Sequence, residues 1–354
     1  MPAELRHTAR VDGVDVRFRA AGRPRNDHGV GLDPGVARFL RVLGWTRLRG
    51  QPGTGPAEVE RARAEQRLGT ALIGVPLRRM ASVETTTVPG PDGAIPVRVY
   101  QPEDGAELLP LLVYLHGGGF VLGDPGTHEG VCRTLAADAR CVVVSVDYRL
   151  APEHPFPAGL DDADAAFTYL REHARRFGGR SDRVAIVGDS AGACLATQVC
   201  QRLQTRGEAQ PLVQGLIYPC TDLRRVHPSH QRFAAGYLLT SAMLDWFVAL
   251  YLPDPALAAS PEVSPLLAAP EQLAGLATAM IETAGFDPLR DEGWAYAAAL
   301  RAAGVAVEHR CHARLIHGYV NLGGVIPAAR VALEGLADRL RVAVHAPHGA
   351  EVRT

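Results

Sequence analysis

Residues 184–203 read VAIVGDSAGACLATQVCQRL, an apolar run followed by Gly-Asp-Ser-Ala-Gly and then by a segment with helical spacing. The pattern predicts a strand over 184–187, a tight turn at Ser190 and a helix over 191–203. Glycines on both sides of the turn allow the sharp bend that lifts a serine hydroxyl clear of a sheet. We therefore predict that Ser190 is a nucleophile; the alternative is a serine that only caps a helix.

A glycine-rich run, HGGGF at 116–120, directly follows the apolar stretch 109–115. Acyl transfer builds negative charge on an oxygen, and backbone N–H groups can stabilise that charge. Consecutive glycines let the backbone approach a substrate without a side-chain clash. We predict that the N–H groups of Gly118, Gly119 and Ala191 form an oxyanion hole, with Gly117 as a further donor. A phosphate-binding loop is the alternative, but the run lacks the residues of either phosphate-loop motif.

A candidate acid, Asp287, lies in GFDPLRDEG at 285–293, just after a predicted strand over 278–283. The carboxyl ends of strands in open α/β sheets are where catalytic groups collect. Asp291 and Glu292 are competing candidates, but both lie at the start of the next predicted helix, where acidic residues are common. The sequence therefore favours Asp287.

A candidate base, His317, lies in LIHGY at 315–319, after a predicted strand over 305–311. His312 is its rival, and His309 lies within the predicted strand. His116 precedes the nucleophile, so we interpret it as a support for the glycine loop. The order of oxyanion loop, Ser190, Asp287 and His317 is the chain order of a serine hydrolase on an α/β-hydrolase sheet.

The rest of the chain alternates apolar strands with helices, which is typical of a mostly parallel sheet covered on both faces. The predicted strands are 83–88, 95–100, 109–115, 141–146, 184–187, 215–218, 278–283 and 305–311. The helices predicted between and after these strands cover 161–177, 191–203, 293–303 and 328–345. We predict an N-terminal helical cap segment over 1–82, a catalytic domain over 83–345 and a tail over 346–354.

Two parts of the chain depart from this alternation. Apolar residues at helical spacing over 36–45, and a second helical stretch over 57–72, occur in the N-terminal segment. A stretch of about 223–265 has no predicted strand and carries an apolar stripe of Leu244, Phe247, Val248 and Tyr251. We interpret both as cap elements, because an apolar helical stripe needs a surface to cover.

Composition restricts the classes of partner and chemistry. The 354 residues carry a formal net charge of −1, so we expect neither a nucleic-acid partner nor an anionic membrane surface. All 37 basic residues are Arg, which excludes lysine-based catalysis. No stretch resembles a signal peptide or a membrane span. The six Cys form no CxxC pair, so we expect reduced thiols in a cytoplasmic protein, with no metal and no cofactor.

The chain closely resembles the hormone-sensitive-lipase-like (bacterial type IV) esterase and lipase family. The matching segments are HGGGF at 116–120, YRLAPEHPFPA at 148–158, GDSAGA at 188–193, YPCTD at 218–222, GYLLT at 236–240, SPL at 264–266, DPLRDEG at 287–293 and HGY at 317–319. The resemblance implies an α/β-hydrolase fold with an eight-stranded core, and a helical cap that shapes the acyl and alcohol pockets. Ala193 and Tyr319 stand where the family more often has Gly and Phe.

These observations together predict a serine carboxylic-ester hydrolase that acts on small to medium acyl esters through an acyl-enzyme. An amidase or deacetylase with the same triad is the alternative. A third hypothesis is a non-catalytic relative that binds a small molecule, but the presence of both Ser190 and His317 disfavours it. The expected partner is a small-molecule ester, and a homodimer remains open. We interpret the loop over 148–158 as a rigid support, with Glu153 and His154 as internal partners.

Overall fold

The apolar runs of the sequence form the strands of one large sheet. The computed structural model describes residues 7–11, 14–18, 24–46, 53–102 and 107–347. The strands are, in chain order, β1 His7–Val11, β2 Val14–Phe18, β3 Ser82–Gly90, β4 Gly93–Gln101, β5 Leu109–Leu115, β6 Val142–Val146, β7 Gly179–Asp189, β8 Val213–Ile217, β9 Thr278–Phe286 and β10 Val307–Ile316.

Eight of these strands form a sheet in the order β10-β9-β8-β7-β5-β6-β4-β3. Strands β3 and β4 pair antiparallel, and β4 is antiparallel to β6, whereas the pairs from β6 to β10 are parallel. Strand β6 is buried along its whole length and β5 from Pro110 onward, as expected for a sheet covered on both faces. The predicted α/β-hydrolase architecture with an eight-stranded, mostly parallel sheet is therefore confirmed.

Ten helices accompany the strands in the described part of the chain. They are α1 Pro34–Thr46, α2 Pro56–Ile73, α3 Glu129–Ala139, α4 Ala158–Glu172, α5 Ala191–Thr205, α6 Pro228–Arg232, α7 Ser241–Tyr251, α8 Pro270–Leu273, α9 Arg290–Ala302 and α10 Pro327–His345. Helices α4, α5 and α9 pack on one face of the sheet, and α3 and α10 pack on the other. The predicted helix over 161–177 is two elements, because α4 ends at Glu172 and a 3₁₀ turn follows at Ala174–Phe177.

The N-terminal segment contains both predicted helices and, in addition, a hairpin. Strands β1 and β2 pair antiparallel, with His7 opposite Phe18, so the segment is not purely helical as predicted. Helix α1 buries Val36 against the face of the sheet that α3 and α10 cover. The side chain of Trp45, part of the predicted apolar stripe, lies outside the described residues, as does the tail beyond residue 347.

One arginine connects α2 to the loops beneath it. The guanidinium of Arg63 donates from Nε to the carbonyl of Val121 at 3.0 Å and from Nη2 to the carbonyl of Ala151 at 3.0 Å. It also pairs with Glu153, at 2.8 and 2.7 Å. The prediction that Glu153 and His154 are internal partners is therefore wrong, because both side chains are exposed and Glu153 binds the N-terminal helix instead.

We expect Arg63→Ala to lower the free energy of unfolding by about 2 kcal/mol, since it removes charged hydrogen bonds to two partly buried carbonyls. Urea denaturation measures this change. Arg61→Ala is a matched control, because Arg61 lies on the same helix and makes an exposed ion pair with Glu65 at 3.9 Å. That control should cost less than about 0.5 kcal/mol. Equal losses for the two variants would contradict the anchoring role of Arg63.

The insertion of about 223–265 contains α6, α7 and a 3₁₀ turn at Pro255–Ala259, with no strand among its residues, all of which are described. Helix α7 begins after Thr240, whose side chain accepts a hydrogen bond from the N–H of Met243. Its apolar stripe buries Leu244, Phe247 and Tyr251. Across the described ranges, no helix has the length and apolarity that a bilayer crossing requires.

Candidate active site

Ser190 occupies a strained turn between β7 and α5. Its backbone has φ 55° and ψ −118°, a conformation that costs energy for a residue with a side chain. A Cβ at Gly188 would lie 2.3 Å from the carbonyl oxygen of Gly192, and a Cβ at Gly192 would lie 2.0 Å from that of Leu115. Both flanking glycines are therefore required for the close approach of backbone segments, as a nucleophile elbow demands.

Three side chains from separate loops form one hydrogen-bonded series. His317 Nε2 lies 2.9 Å from Ser190 Oγ, and His317 Nδ1 lies 2.9 Å from Asp287 Oδ2. Asp287 follows β9 and is fully buried, and its Oδ1 accepts from the N–H of Leu289 at 2.8 Å. With its proton on Nδ1, the imidazole donates to Asp287 and accepts from the Ser190 hydroxyl, which is the geometry of a serine nucleophile with its base.

The competing candidates all have other partners. Asp291 accepts from the N–H of Ser229 at 2.9 Å, and Glu292 binds His230 at 2.7 Å. His312 pairs with Glu282 on the neighbouring strand. His309 contacts the hydroxyl of Thr283. The structure brings Asp287 and His317, and none of these rivals, into the hydrogen-bonded series with Ser190.

The glycine loop lies beside the elbow, and two of its glycines have backbone conformations that are unfavourable for residues with a side chain. Gly118 has φ +130° and Gly119 has φ +62°. Ala191 is the first residue of α5, so its N–H has no acceptor within the helix. The N–H of Gly117 donates to Asp189 Oδ1 at 2.8 Å. The prediction of Gly117 as an oxyanion donor is therefore wrong, because its N–H is already committed to a buried carboxylate.

Comparison with known proteins places this site in a family. Residues 112–321 match the model of a family described by the alpha/beta hydrolase fold. The carboxylic ester hydrolase LipN of Mycobacterium tuberculosis is 45% identical over 314 residues, covering 86% of this chain and 81% of LipN. The chain belongs to the hormone-sensitive-lipase-like esterases. The family predicted from the sequence motifs is confirmed.

Other relatives of the esterase agree with this placement. The ethyl acetate hydrolase of Pseudomonas putida is 37% identical over 317 residues, covering 88% of this chain and 99% of that protein. Among solved structures, an ester hydrolase from the Lake Arreo metagenome superposes with a TM-score of 0.83 at 40% identity, covering 88% of this chain and 98% of its own. A thermostable Pseudomonas putida esterase superposes with a TM-score of 0.83 at 33% identity, covering 90% of this chain and 99% of its own.

A buried charge network next to Ser190 of the esterase was not predicted from the sequence. Asp189 Oδ1 accepts from the hydroxyl of Tyr114 at 2.7 Å and from the N–H of Gly117, and Asp189 Oδ2 accepts from the hydroxyl of Tyr218 at 3.2 Å. His128 Nε2 lies 3.3 Å from Oδ1. A signal was available, since Asp189 is a charged residue at the end of an apolar strand and needs partners when buried.

Burial and charge act in opposite directions on this network. Burial raises the pKa of Asp189, but the charge of His128 and the hydrogen bonds from His128, Tyr114 and Gly117 outweigh it and lower that pKa to about 2. Burial lowers the pKa of His128, but Asp189 outweighs burial and raises it. We therefore interpret the two side chains as a buried ion pair that anchors the glycine loop through Gly117.

His116 supports the glycine loop, as its place in the chain order suggests. Its Nδ1 lies 2.9 Å from the carbonyl of Gly117, and its ring stacks on Tyr148 with centroids 4.4 Å apart. The Tyr148 hydroxyl donates to the carbonyl of His116 at 2.6 Å. Burial, with the charge of His128, lowers the pKa of His116 to about 4, so this imidazole is neutral at pH 7.

Glu292 fastens the cap insertion to the loop that carries Asp287. The buried carboxylate accepts from the backbone N–H groups of Thr221 at 2.6 Å and Asp222 at 3.2 Å, and from His230 Nε2 of α6 at 2.7 Å. Burial raises the pKa of Glu292, although the hydrogen bond and charge of His230 pull it back. Glu292, in the first turn of α9, thus holds α6 of the cap insertion against α9.

In the ranges that the structure describes, no cluster of three or more His, Cys, Asp and Glu side chains could hold a metal ion. The six Cys, all within those ranges, are free thiols, and four of them are buried. Burial raises the pKa of Cys194 and Cys200, which makes these thiols poor nucleophiles.

Proposed function

We propose that Ser190, His317 and Asp287 are the catalytic triad with which this carboxylesterase hydrolyses small to medium acyl esters. His317 accepts the proton of the Ser190 hydroxyl as its oxygen attacks the ester carbonyl. Asp287 holds the imidazole in the required tautomer and stabilises the imidazolium that forms. The imidazolium then protonates the departing alcohol, and a water molecule activated by His317 releases the acyl group from Ser190.

The N–H groups of Gly118, Gly119 and Ala191 are the proposed donors to the oxyanion of both tetrahedral intermediates. Gly117 has a different role, because its N–H holds the loop on Asp189. The loss of one oxyanion donor typically costs about 2.7–4 kcal/mol of transition-state stabilisation. The shape of the glycine loop therefore contributes to the rate in addition to the triad.

A single observation carries the proposal: His317 lies 2.9 Å from both Ser190 Oγ and Asp287 Oδ2. An amidase or deacetylase would use the same three groups, so the triad does not separate these activities from ester hydrolysis. The activities for which the relatives are named, carboxylic ester and ethyl acetate hydrolysis, favour esters. A cytoplasmic location and a homodimer stay predictions.

Labelling with a fluorophosphonate tests the proposal directly. We expect one phosphonyl group per chain, located on Ser190 by peptide mass spectrometry, together with loss of p-nitrophenyl butyrate hydrolysis in proportion to the label. Parallel assays with p-nitrophenyl butyrate and the matching anilide, p-nitrobutyranilide, compare ester with amide turnover. A label on another residue, or activity that survives full labelling, would refute the assignment, and a higher kcat/KM for the anilide would favour the amidase.

A further inference from the structure

Helix α7 of the insertion covers the glycine loop at two successive residues. The ring of Tyr251 stacks on that of Phe120, with centroids 3.8 Å apart and planes 7° from parallel. One turn earlier on the helix, Phe247 lies against Gly119. The carbonyl of Tyr251 also accepts from the N–H of Phe156 at 2.9 Å. The cap helix and the proposed oxyanion loop therefore pack as one unit.

The contact between Phe247 and Gly119 leaves no room for a side chain. A Cβ at Gly119 would lie 2.2 Å from Cγ of Phe247, and 2.3 and 2.6 Å from its two Cδ atoms. The ring thus occupies the space beside Cα of Gly119, the residue whose N–H we assign to the oxyanion hole. Any group that a substrate carries close to its scissile carbonyl on this side must meet the Phe247 ring.

The ring is held in place by its neighbours. Trp246 packs edge-on against Phe247, with centroids 5.2 Å apart. The Trp246 indole N–H donates to the carbonyl of Gly53 in the N-terminal segment at 3.1 Å. Phe247 itself is only 8% exposed. A close-packed ring with so little free surface cannot move aside cheaply to admit extra substrate volume.

Branching on the acyl side of an ester lies nearer the reacting carbonyl than branching on the alcohol side. A substituent on the α-carbon of the acyl group is one bond closer to the carbonyl carbon than a substituent on the first carbon of the alcohol. We infer that the Phe247 ring is a specificity wall that excludes branching at the α-carbon of the acyl group. The preferred substrates are then esters of unbranched acids. This inference rests on the proposed function.

Two isomeric substrates isolate branching from size. p-Nitrophenyl butyrate and p-nitrophenyl 2-methylpropanoate have the same atoms and the same leaving group, and differ only in branching at the α-carbon. We expect wild type to favour butyrate, and Phe247→Ala to raise the kcat/KM ratio of the branched to the linear ester by about tenfold or more, the discrimination typical of one methyl-sized group in a pocket. If the alanine variant folds poorly, Phe247→Leu can replace it, and its ratio of branched to linear ester should exceed that of wild type by a smaller factor.

Leu244→Ala is the matched control. Leu244 lies one turn before Phe247 on α7 and is equally buried, at 8% exposure, so its truncation loosens the helix without removing the ring. The ratio of branched to linear ester should stay at the wild-type value. An equal rise for Leu244→Ala would mean that any loosening of the cap relaxes specificity, and would overturn the inference.

A double-mutant cycle tests the contact itself. Gly119→Ala should lower the free energy of unfolding more in the wild-type background than in Phe247→Ala, since the truncated side chain relieves the clash. Equal costs in the two backgrounds would contradict the contact.

Other outcomes separate this inference from the proposed function. An unchanged ester ratio in Phe247→Ala, with both esters hydrolysed and Ser190 labelled, overturns the wall alone. A shift confined to branched alcohols, measured with 1-butyl and 2-butyl acetate, overturns the acyl assignment. Absence of hydrolysis and of labelling in wild type would instead refute the proposed function.

Discussion

Ser190→Ala is expected to reduce kcat for p-nitrophenyl butyrate by about 10⁴- to 10⁶-fold, the range found when a triad nucleophile is removed. The alanine leaves His317 without an oxygen to activate, so no acyl-enzyme forms. Burst and steady-state kinetics with purified protein measure the loss. Ser260→Ala is a matched control, because Ser260 lies in the insertion and binds the N–H of Glu262, and its activity should match wild type.

The triad interpretation makes a further demand on this experiment. Residues that act as one unit give strongly non-additive losses, so Ser190→Ala combined with His317→Ala should be barely worse than either variant alone. Thermal unfolding of each variant shows whether the fold is retained. Multiplicative losses in a folded double variant, or substantial turnover by Ser190→Ala, would show that the two residues do not act together.

Asp189→Asn is expected to destabilise the protein by about 3–5 kcal/mol, the usual cost of removing one partner of a buried ion pair. The substitution keeps the shape of the side chain but removes the negative charge that faces His128 at 3.3 Å. It also presents an amide N–H₂ to a site whose neighbours, Tyr114, Tyr218 and the N–H of Gly117, all donate. We expect kcat to fall by up to about 10²-fold, because the glycine loop loses its anchor.

Tyr114→Phe is the matched comparison for this variant. It removes one hydrogen bond to Asp189 and leaves both charges in place, so it should cost about 1.5–3 kcal/mol. Urea denaturation gives both free energies, and kcat for p-nitrophenyl butyrate reports the position of the loop. If Asp189→Asn kept wild-type stability and kcat, the anchoring role of the carboxylate would be refuted.

The difference in unfolding free energy between wild type and Asp189→Asn depends on pH, and the direction of each pKa shift determines how. Asp189 has a lowered pKa, so its contribution is complete above the usual carboxyl value of about 4 and is lost as the pH falls toward about 2. His128 has a raised pKa, so its contribution is complete below the usual value of about 6.5 and is lost as the pH rises through the folded value. The stability gap between wild type and Asp189→Asn should therefore be widest between about pH 4 and 6.5.

Local patterns predicted much of this structure, because the features they report are local. The turn at Ser190 needs glycines at the adjacent positions, and the sequence has them at 188 and 192. The apolar runs 109–115 and 141–146 became the strands β5 and β6 with nearly the predicted bounds, whereas β7 begins five residues before the predicted strand and β10 ends five residues after it. Asp287 and His317 were predicted because each follows a strand in the order that the proposed chemistry requires, and the structure places both in one hydrogen-bonded series with Ser190.

The errors come from interactions between distant parts of the chain. The N–H of Gly117 is consumed by Asp189, 72 positions further along, and no pattern within HGGGF reveals this. Glu153 binds Arg63 across 90 positions. Helix α3 escaped prediction for a local reason, since it ends at Arg140 with φ 53°, where a glycine would have marked the boundary.

The bond between Trp246 and Gly53 spans 193 residues of chain. A ribosome adding about 5–20 residues per second therefore releases the Gly53 segment roughly 10–40 s before Trp246 exists. The elbow at Ser190 and the ring of Phe247 are both synthesised before Asp287 and His317, so a nascent chain contains the proposed wall before its proposed triad is complete. We expect the ability to react with an ester to be the last property that this esterase acquires during biosynthesis, because His317 follows both Ser190 and Phe247 in the chain.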